Sequence, residues 1–177
     1  MNTPHAGKKI DELYALIEDM EIAMMTTRAP GGQLRTRPMA TQTQAGIGDL
    51  YFVTDIYSDK VAELRHDPHV NLGYYSASTY EWVSVSGVAE ISQDRAKIRE
   101  LYQPDWRAWF GDEGGERDGG PDDPRLALIV VDCEAVRYSK AKRARPVALF
   151  EYVKGMATGT QPDLSREERL GDAELPR

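Results

Sequence analysis

Hydrophobic positions near the N-terminus recur first with a helical period and then in the shorter patterns of β-strands. Residues 8–20 are predicted to form an amphipathic helix, because apolar side chains recur at i, i+3, i+4 and i+7, at Ile10, Leu13, Tyr14 and Ile17. Three short runs rich in apolar, aromatic and β-branched residues then predict strands at 22–28, 34–43 and 50–55. The segments between them, "APGGQ" (29–33) and "AGIGD" (45–49), have the glycine and proline content of turns.

The rest of the chain continues this mixture of strands and short helices. Ser58 is placed to cap a helix over "DKVAELRHD", and Pro68 lies just past its end. "HVNLGYYS" and "YEWVSVSGVAEI" predict two more strands, and residues 94–102 a short amphipathic helix. The last strands are predicted at 126–139 and 147–159, and a capping box from Ser165 to Glu168 predicts a short terminal helix.

Many short strands, short turns and few helices indicate a mostly β fold, an antiparallel β-barrel with peripheral helices. We expect residues 1–177 to form a single domain with a C-terminal tail from about residue 160. A Rossmann domain is disfavoured, because no G-x-G-x-x-G follows a predicted strand and helices do not alternate regularly with strands.

The composition limits the partners and the compartment of the protein. Its 22 basic and 29 acidic residues give a net charge of −7, which favours solubility and disfavours binding to nucleic acid or an anionic membrane. No apolar run reaches about 18 residues, the length of a transmembrane helix, and the N-terminus lacks an apolar signal core. The single cysteine, Cys133, excludes an internal disulfide and predicts a buried, unreactive thiol in a cytoplasmic protein.

The stretch "LRTRPMATQT" (34–43) combines a strand pattern with a proline and two arginines. Side chains alternate along a strand, so Arg35 and Arg37 point to the same face. A strand interior excludes proline, which cannot donate a ladder hydrogen bond, so Pro38 predicts an edge or a bulge. There a flat ligand could lie against the backbone.

An anion site is one interpretation of the residues that follow. Thr54 ends the next strand, and Ser58, Asp59 and Lys60 open a helix whose first amide N–H groups are free. Hydroxyl groups, a lysine and a nearby arginine would together suit a phosphate dianion. An ordinary helix cap with surface charges explains the same spacing about equally well.

Several longer segments give the chain a family resemblance. They are "TRPMAT", "LYFVTDIYSDKVAELRHDPHVNLGYY", "YEWVSVSGVAEI", "WRAWFG", "DDPRLALIVV" and "VALFEYVKGMATGTQPDL". In order and spacing they resemble the flavin-binding split barrels of the pyridoxamine 5′-phosphate oxidase superfamily, and within it the bacterial general stress protein 26 branch. The resemblance covers about residues 10–165. It implies a six-stranded antiparallel split β-barrel with flanking helices, forming a homodimer that binds two FMN molecules at its interface.

The resemblance also implies which residues bind the cofactor. Near the FMN phosphate it places Arg37, Ser58 and Lys60, with Asp59 between the last two. Against the isoalloxazine ring it places the backbone of Pro38, Met39, Ala40 and Thr41, and near the ribityl chain Val53 and Thr54. Trp82 would come from the partner subunit. Trp106 and Trp109 would shape the pocket mouth, but with Phe110 they have the i, i+3, i+4 spacing of core packing, and core or dimer contact is favoured for both.

Two functions are compatible with these expectations. The first is an FMN-dependent oxidoreductase of the general stress type, acting on an unidentified small substrate with NAD(P)H or oxygen as redox partner. The second is a flavin-binding carrier or stress sensor without turnover. FAD shares the phosphate that the predicted site would bind and stays open as the cofactor, and haem or deazaflavin relatives of the barrel provide a weaker third alternative.

The remaining motifs narrow these functions. The R-x-H segment of true pyridoxamine 5′-phosphate oxidases is absent, so vitamin B6 synthesis is not predicted. No catalytic residue is identified, as expected where the cofactor supplies the chemistry. His66 and His69 have no completing ligand cluster, so no metal site is expected. The glycine-rich acidic loop at 111–123 is predicted to be mobile, like a lid.

Overall fold

The computed structural model describes residues 4–42, 49–141, 154, 156, 158 and 165–175. Along the chain its elements are α1 (Pro4–Met20), β1 (Ile22–Arg28), β2 (Leu34–Gln42), β3 (Leu50–Asp55), α2 (Asp59–His66), β4 (His69–Tyr75), β5 (Trp82–Ser92), α3 (Arg95–Leu101), α4 (Trp106–Phe110), β6 (Leu126–Ala141), β7 (Ser165–Gly171) and a 3₁₀ turn at Asp172–Glu174. The elements up to β6 lie where the sequence predicts strands and helices, except α4, for which no helix is predicted.

Six of the strands close into an antiparallel barrel. They follow the order β3-β2-β1-β4-β5-β6, and β6 returns to pair with β3, from Leu50 opposite Val131 to Asp55 opposite Leu126. Closure pairs the two outer strands of the sheet and so limits the free edges that an open sheet would expose. The predicted six-stranded split barrel with flanking helices is confirmed.

Two apolar clusters stabilise this arrangement. The larger fills the barrel between inward-facing strand residues and α1, and includes Leu13 and Ile17 of the predicted helical stripe. The second lies outside the barrel, where α3 and α4 cover the outer faces of β3 and β6 around Trp106. The described residues include no helix with the length and apolar character needed to cross a bilayer.

The predicted helix at Ser165–Glu168 is wrong, because this segment forms β7. It pairs with the second half of β6, from Ala141 opposite Ser165 to Ala135 opposite Gly171. Leu170 is 1% exposed, and two ion pairs tie β7 to α1: Lys9–Glu168 at 2.8 Å and Arg166–Glu12 at 2.6 Å. A local capping box contributes only about 1 kcal/mol, less than a complete strand ladder with a buried leucine.

Two further predictions fall largely outside the described residues. Of the strand predicted at 147–159, the structure describes Lys154, Met156 and Thr158, which are helical, so the strand prediction is wrong there. The Thr158 hydroxyl donates to the Lys154 carbonyl at 2.9 Å, as a helix allows. The turn predicted at 45–49 lies outside the described residues except for Asp49.

The glycine-rich loop at 111–123 is anchored to a buried ion pair. Arg125 is 2% exposed and Asp123 fully buried, and their side chains meet at 2.7 Å. Arg125 also donates to the carbonyls of Phe110, Gly111 and Arg117. Burial alone would raise the pKa of Asp123, but hydrogen bonds from Arg125 and Gly119 outweigh it and lower the pKa to about 2. These contacts hold the loop at Gly111, Arg117 and Asp123, and its mobility stays a prediction.

Cys133 lies on β6 and is partly buried. Burial, together with the nearby carboxylates of Asp49 and Asp132, raises the pKa of its thiol to about 12. Because the thiolate is the reactive form, this thiol is inert at neutral pH, as the sequence predicts.

Candidate functional site

Strand β2 is paired along only part of its second edge. It runs against β1 from Leu34 to Ala40, but pairs with β3 only at Thr41 and Gln42. Pro38 lies opposite Met24 in an uninterrupted ladder, so it occupies an edge position and not a bulge. A proline is tolerated there because its nitrogen faces away from the single neighbouring strand. Among the described residues, this stretch of backbone is therefore open on one side.

The two arginines of β2 meet on one buried carboxylate. Glu63 of α2 is 2% exposed, and its two oxygens accept from Arg35 and Arg37, each at 2.8 Å. The Thr27 hydroxyl donates to the same carboxylate at 2.5 Å and accepts from Arg37 at 3.0 Å. Arg37 is thereby held at two points, one on each terminal nitrogen.

Glu63 is the central residue of this site that the sequence interpretation missed. Burial raises the pKa of its carboxyl, but hydrogen bonds from Thr27, Arg37 and Arg35 outweigh burial, and the net pKa is lowered. The carboxylate therefore stays charged at neutral pH. The sequence does contain a signal for this residue. Glu63 lies between the apolar residues Val61 and Leu64, which are buried, and a charged side chain at a buried position needs a partner.

A second group of polar side chains lies at the start of α2. Lys60 donates to the Thr54 hydroxyl at 3.0 Å, and that hydroxyl lies 3.2 Å from the Ser58 hydroxyl. Ser58 is the N-cap residue of α2 but makes no side-chain capping bond. The side-chain cap considered as an alternative is therefore not formed, and the Ser58 hydroxyl lies against the Thr54 hydroxyl instead.

The two groups adjoin each other. Burial lowers the pKa of Lys60, and the positive charge of Arg37 lowers it further, while nearby carboxylates act in the opposite direction. The charges of Arg37 and Lys60 are thus close enough to repel each other. The buried carboxylate of Glu63 lies between Arg35 and Arg37. The carboxylates that act on Lys60 are those of Asp55, Glu63 and Asp59, so cationic and anionic groups lie together at the start of α2.

The donor set fits a phosphate group. A guanidinium has five N–H donors, and the contacts with Thr27 and Glu63 use two of those on Arg37. The remaining donors, the Lys60 ammonium and two hydroxyls match the oxygens of a phosphate. Asp59, at the first helical position, is exposed and lies beside Lys60 in the chain.

The other predicted residues of β2 and β3 surround this cluster with their backbone. Met39 packs against the barrel core, and the Thr41 hydroxyl lies 2.9 Å from the Tyr74 hydroxyl. Pro38 and Ala40 are exposed on the outer face. Val53 packs with its side chain against the outer apolar cluster. Beside the open edge of β2, a ligand could reach the main chain from Pro38 to Ala40 and the exposed side chains of these two residues.

The structure does not bring Trp82 and Trp109 to the cluster. Trp82 begins β5, opposite Tyr75 of β4, so two other strands separate it from β2 in the barrel. Trp109 is 84% exposed, whereas Trp106 is 2% exposed and donates to Gln42 at 3.1 Å. The prediction of core packing is confirmed for Trp106, whereas Trp109 lies outside the core of the chain.

Comparison of the chain with known proteins supports the barrel fold. Residues 8–163 match the family model described as pyridoxamine 5′-phosphate oxidase like. The Protein bli-3 of Neurospora crassa is 34% identical over 171 residues, covering 95% of this chain and 82% of that protein.

Two solved structures show the same fold. A candidate general stress protein 26 from Jannaschia sp. CCS1 superposes with a TM-score of 0.73 at 23% identity, covering 93% of this chain and 99% of that one. The general stress FMN/FAD binding protein of Xanthomonas citri gives 0.61 at 23% identity, covering 75% and 88%. The chain belongs to the pyridoxamine 5′-phosphate oxidase like family.

Proposed function

We propose that the protein binds a flavin, FMN in the first instance, with the phosphate at the cluster of Arg37, Thr54, Ser58 and Lys60. The observation that carries this proposal is the convergence of two cations and two hydroxyls at the start of α2. The name of the Xanthomonas citri relative, an FMN/FAD binding protein, supports the same ligand class.

Each part of the site has a distinct task in this proposal. Arg37 offers a fork of N–H donors, Lys60 a point charge, and Thr54 and Ser58 neutral hydroxyl donors to the phosphate oxygens. The backbone from Pro38 to Thr41, whose edge is open as far as Ala40, would lie beside the ring system. When bound, the flavin supplies the redox chemistry, and the chain needs only to bind, orient and shield it.

We infer that the flavin serves an oxidoreductase of the general stress type, with NAD(P)H or oxygen as redox partner and a small molecule as substrate. The relatives described as general stress proteins support this class. The test is an absorbance spectrum of the purified protein before and after addition of FMN and removal of excess ligand, followed by addition of NADH or NADPH.

Retained flavin bands, shifted from those of free FMN and bleached by a nicotinamide, are the expected result. Retained bands that neither nicotinamide bleaches would replace the oxidoreductase with a flavin carrier or sensor. A protein that stays colourless after addition of FMN would overturn the flavin proposal itself.

We further propose that a second copy of the chain covers the outer face of β1 and β4. Ile22 and Met24 are each 45% exposed there, and Tyr75 is 61% exposed, on neighbouring strands. Pro38 continues this surface onto β2. A contiguous apolar face of this kind is typical of an interface. A homodimer would bring Trp82 of one subunit towards the flavin of the other.

Dilution is expected to separate the subunits and release the flavin together, because each site would use residues of both. Light scattering reports the mass, and flavin fluorescence reports release. Met24→Glu places a charge in the apolar face and should give a monomer without flavin. A monomer that keeps its flavin would contradict the shared site.

A further inference from the structure

The proposed site for the FMN phosphate does not include Arg35, yet this residue shares the Glu63 carboxylate with Arg37. Its NH1 group donates to one oxygen of Glu63 at 2.8 Å, while Arg37 binds the other oxygen at 2.8 Å. The two guanidinium groups are therefore separated by the width of a single carboxylate. Groups spaced to share one carboxylate are also spaced to hold two linked phosphates, whose oxygens accept the same forked donors.

The position of Arg35 places it at the outer end of the cluster. Strand β2 meets β3 at Thr41, and Arg35 lies two residues further from that pairing than Arg37, about 6–7 Å along the strand. Its side chain is 53% exposed, against 22% for Arg37. Lys60 and Thr54 thus form one end of the cationic cluster, Arg37 its middle and Arg35 its solvent-facing end.

Glu63 leaves donors free on Arg35. The contact with the carboxylate uses the NH1 group, and among the described contacts of this side chain none uses Nε or NH2. In this stretch of β2 the described residues provide only β1 as a neighbouring strand. Arg35 thus has a fixed anchor through NH1 and a half-exposed side chain whose other N–H donors make none of the described contacts.

We propose that Arg35 binds the second phosphate of a flavin dinucleotide, so that the site takes the pyrophosphate of FAD as well as the single phosphate of FMN. This inference rests on the proposed flavin site. The first phosphate lies at Arg37 and Lys60 in both ligands, and the charge of Arg35 becomes useful only when a second phosphate extends outward.

Arg35→Gln tests this by changing the affinity for one flavin and not for the other. FAD dissociation constants should rise about tenfold or more, the value of one lost charge-assisted contact, whereas those for FMN should change by less than about threefold. Arg35→Lys keeps the charge without the fork and should give an intermediate loss for FAD. Quenching of flavin fluorescence measures both ligands.

Arg28→Gln is a matched control. Arg28 lies on the adjacent strand, its side chain is 52% exposed, and it pairs with Asp67 instead of Glu63. This variant removes the same charge at the same exposure and should leave both dissociation constants unchanged. Thermal unfolding of each variant confirms that the fold is intact.

Equal weakening of FAD and FMN in Arg35→Gln would overturn the inference, since it would show a general charge effect. Unchanged FAD binding in Arg35→Gln would also overturn the inference about the second phosphate, but it would leave the proposed flavin site standing. If the wild-type protein binds neither flavin, the proposed function fails and the second phosphate site fails with it.

Discussion

Replacing Arg37 and Lys60 together by alanine is expected to weaken FMN binding by about 10²–10⁴-fold and riboflavin binding by less than about tenfold. Each side chain would make a charge-assisted hydrogen bond to the phosphate, worth about 1.5–3 kcal/mol, and each 1.4 kcal/mol is a factor of ten. Riboflavin lacks the phosphate and so loses neither bond. Glu63 keeps Arg35 and Thr27 as partners in this variant, which preserves the packing between α2 and β2.

Fluorescence titration with the two ligands measures the difference. The control is the double variant Arg28→Ala with Arg65→Ala. Like the test variant, it removes one cation from a barrel strand, β1, and one from α2, but both lie outside the cluster. This control should bind both ligands as the wild type does. Equal losses of FMN and riboflavin in the test variant would contradict the phosphate assignment.

Glu63→Ala is expected to destabilise the fold by about 3 kcal/mol at neutral pH, or roughly 6–12 °C in Tm for a chain of this length. The carboxylate is buried, and its removal leaves Thr27 and Arg37 without their common acceptor. This loss of stability is at the lower end of the range of about 3–5 kcal/mol for a broken buried ion pair. The reason is that water can hydrate the half-exposed Arg35 once its partner is removed.

The destabilisation should depend on pH in a defined direction. The folded pKa of Glu63 is lowered from the ordinary value of 4.5, so its stabilising contribution is complete above that value and is lost as pH falls through the folded pKa. The difference between wild type and Glu63→Ala should therefore shrink below about pH 4.5.

Urea unfolding over a pH series provides the measurement. Glu100→Ala is the control, because this glutamate is 60% exposed in a surface pair with Lys97 and should change stability by less than about 1 kcal/mol at any pH. A difference between Glu63→Ala and wild type that is constant down to pH 3 would mean that the side chain acts through its volume and not its charge.

The fold was largely predictable because its signals are local and repeated. Period-two alternation and turn residues determine where strands begin and end, and the helical stripe of Ile10, Leu13 and Ile17 determines α1. Where the prediction failed, a weak local signal opposed a tertiary one. The capping box at Ser165 favours a helix, but the second half of β6 pairs with β5 on one edge and offers a ladder on its other edge that overrides the local signal.

The site was predictable only in part. The order of segments predicted one cluster of Arg37, Ser58 and Lys60. Arg37 lies on β2, and α2 begins directly after β3, the next strand, so the two regions are expected at the same end of the barrel. The anchor for the loop at 111–123 was not predictable, because a glycine-rich acidic stretch has the composition of a mobile segment. Only the folded chain shows that the carbonyls of Phe110 and Gly111 converge on the buried Arg125.

The sequence by itself indicated the barrel and determined the shared face of Arg35 and Arg37, since both follow from strand periodicity. It left Pro38 open between an edge and a bulge, and the uninterrupted pairing with β1 decided for the edge. Only the tertiary structure decided which group neutralises the arginines. Glu63 lies 26 residues from Arg37 in the chain, and no local pattern connects them. Closure of the barrel under α2 brings the carboxylate between the two guanidinium groups, and burial there requires that it be paired.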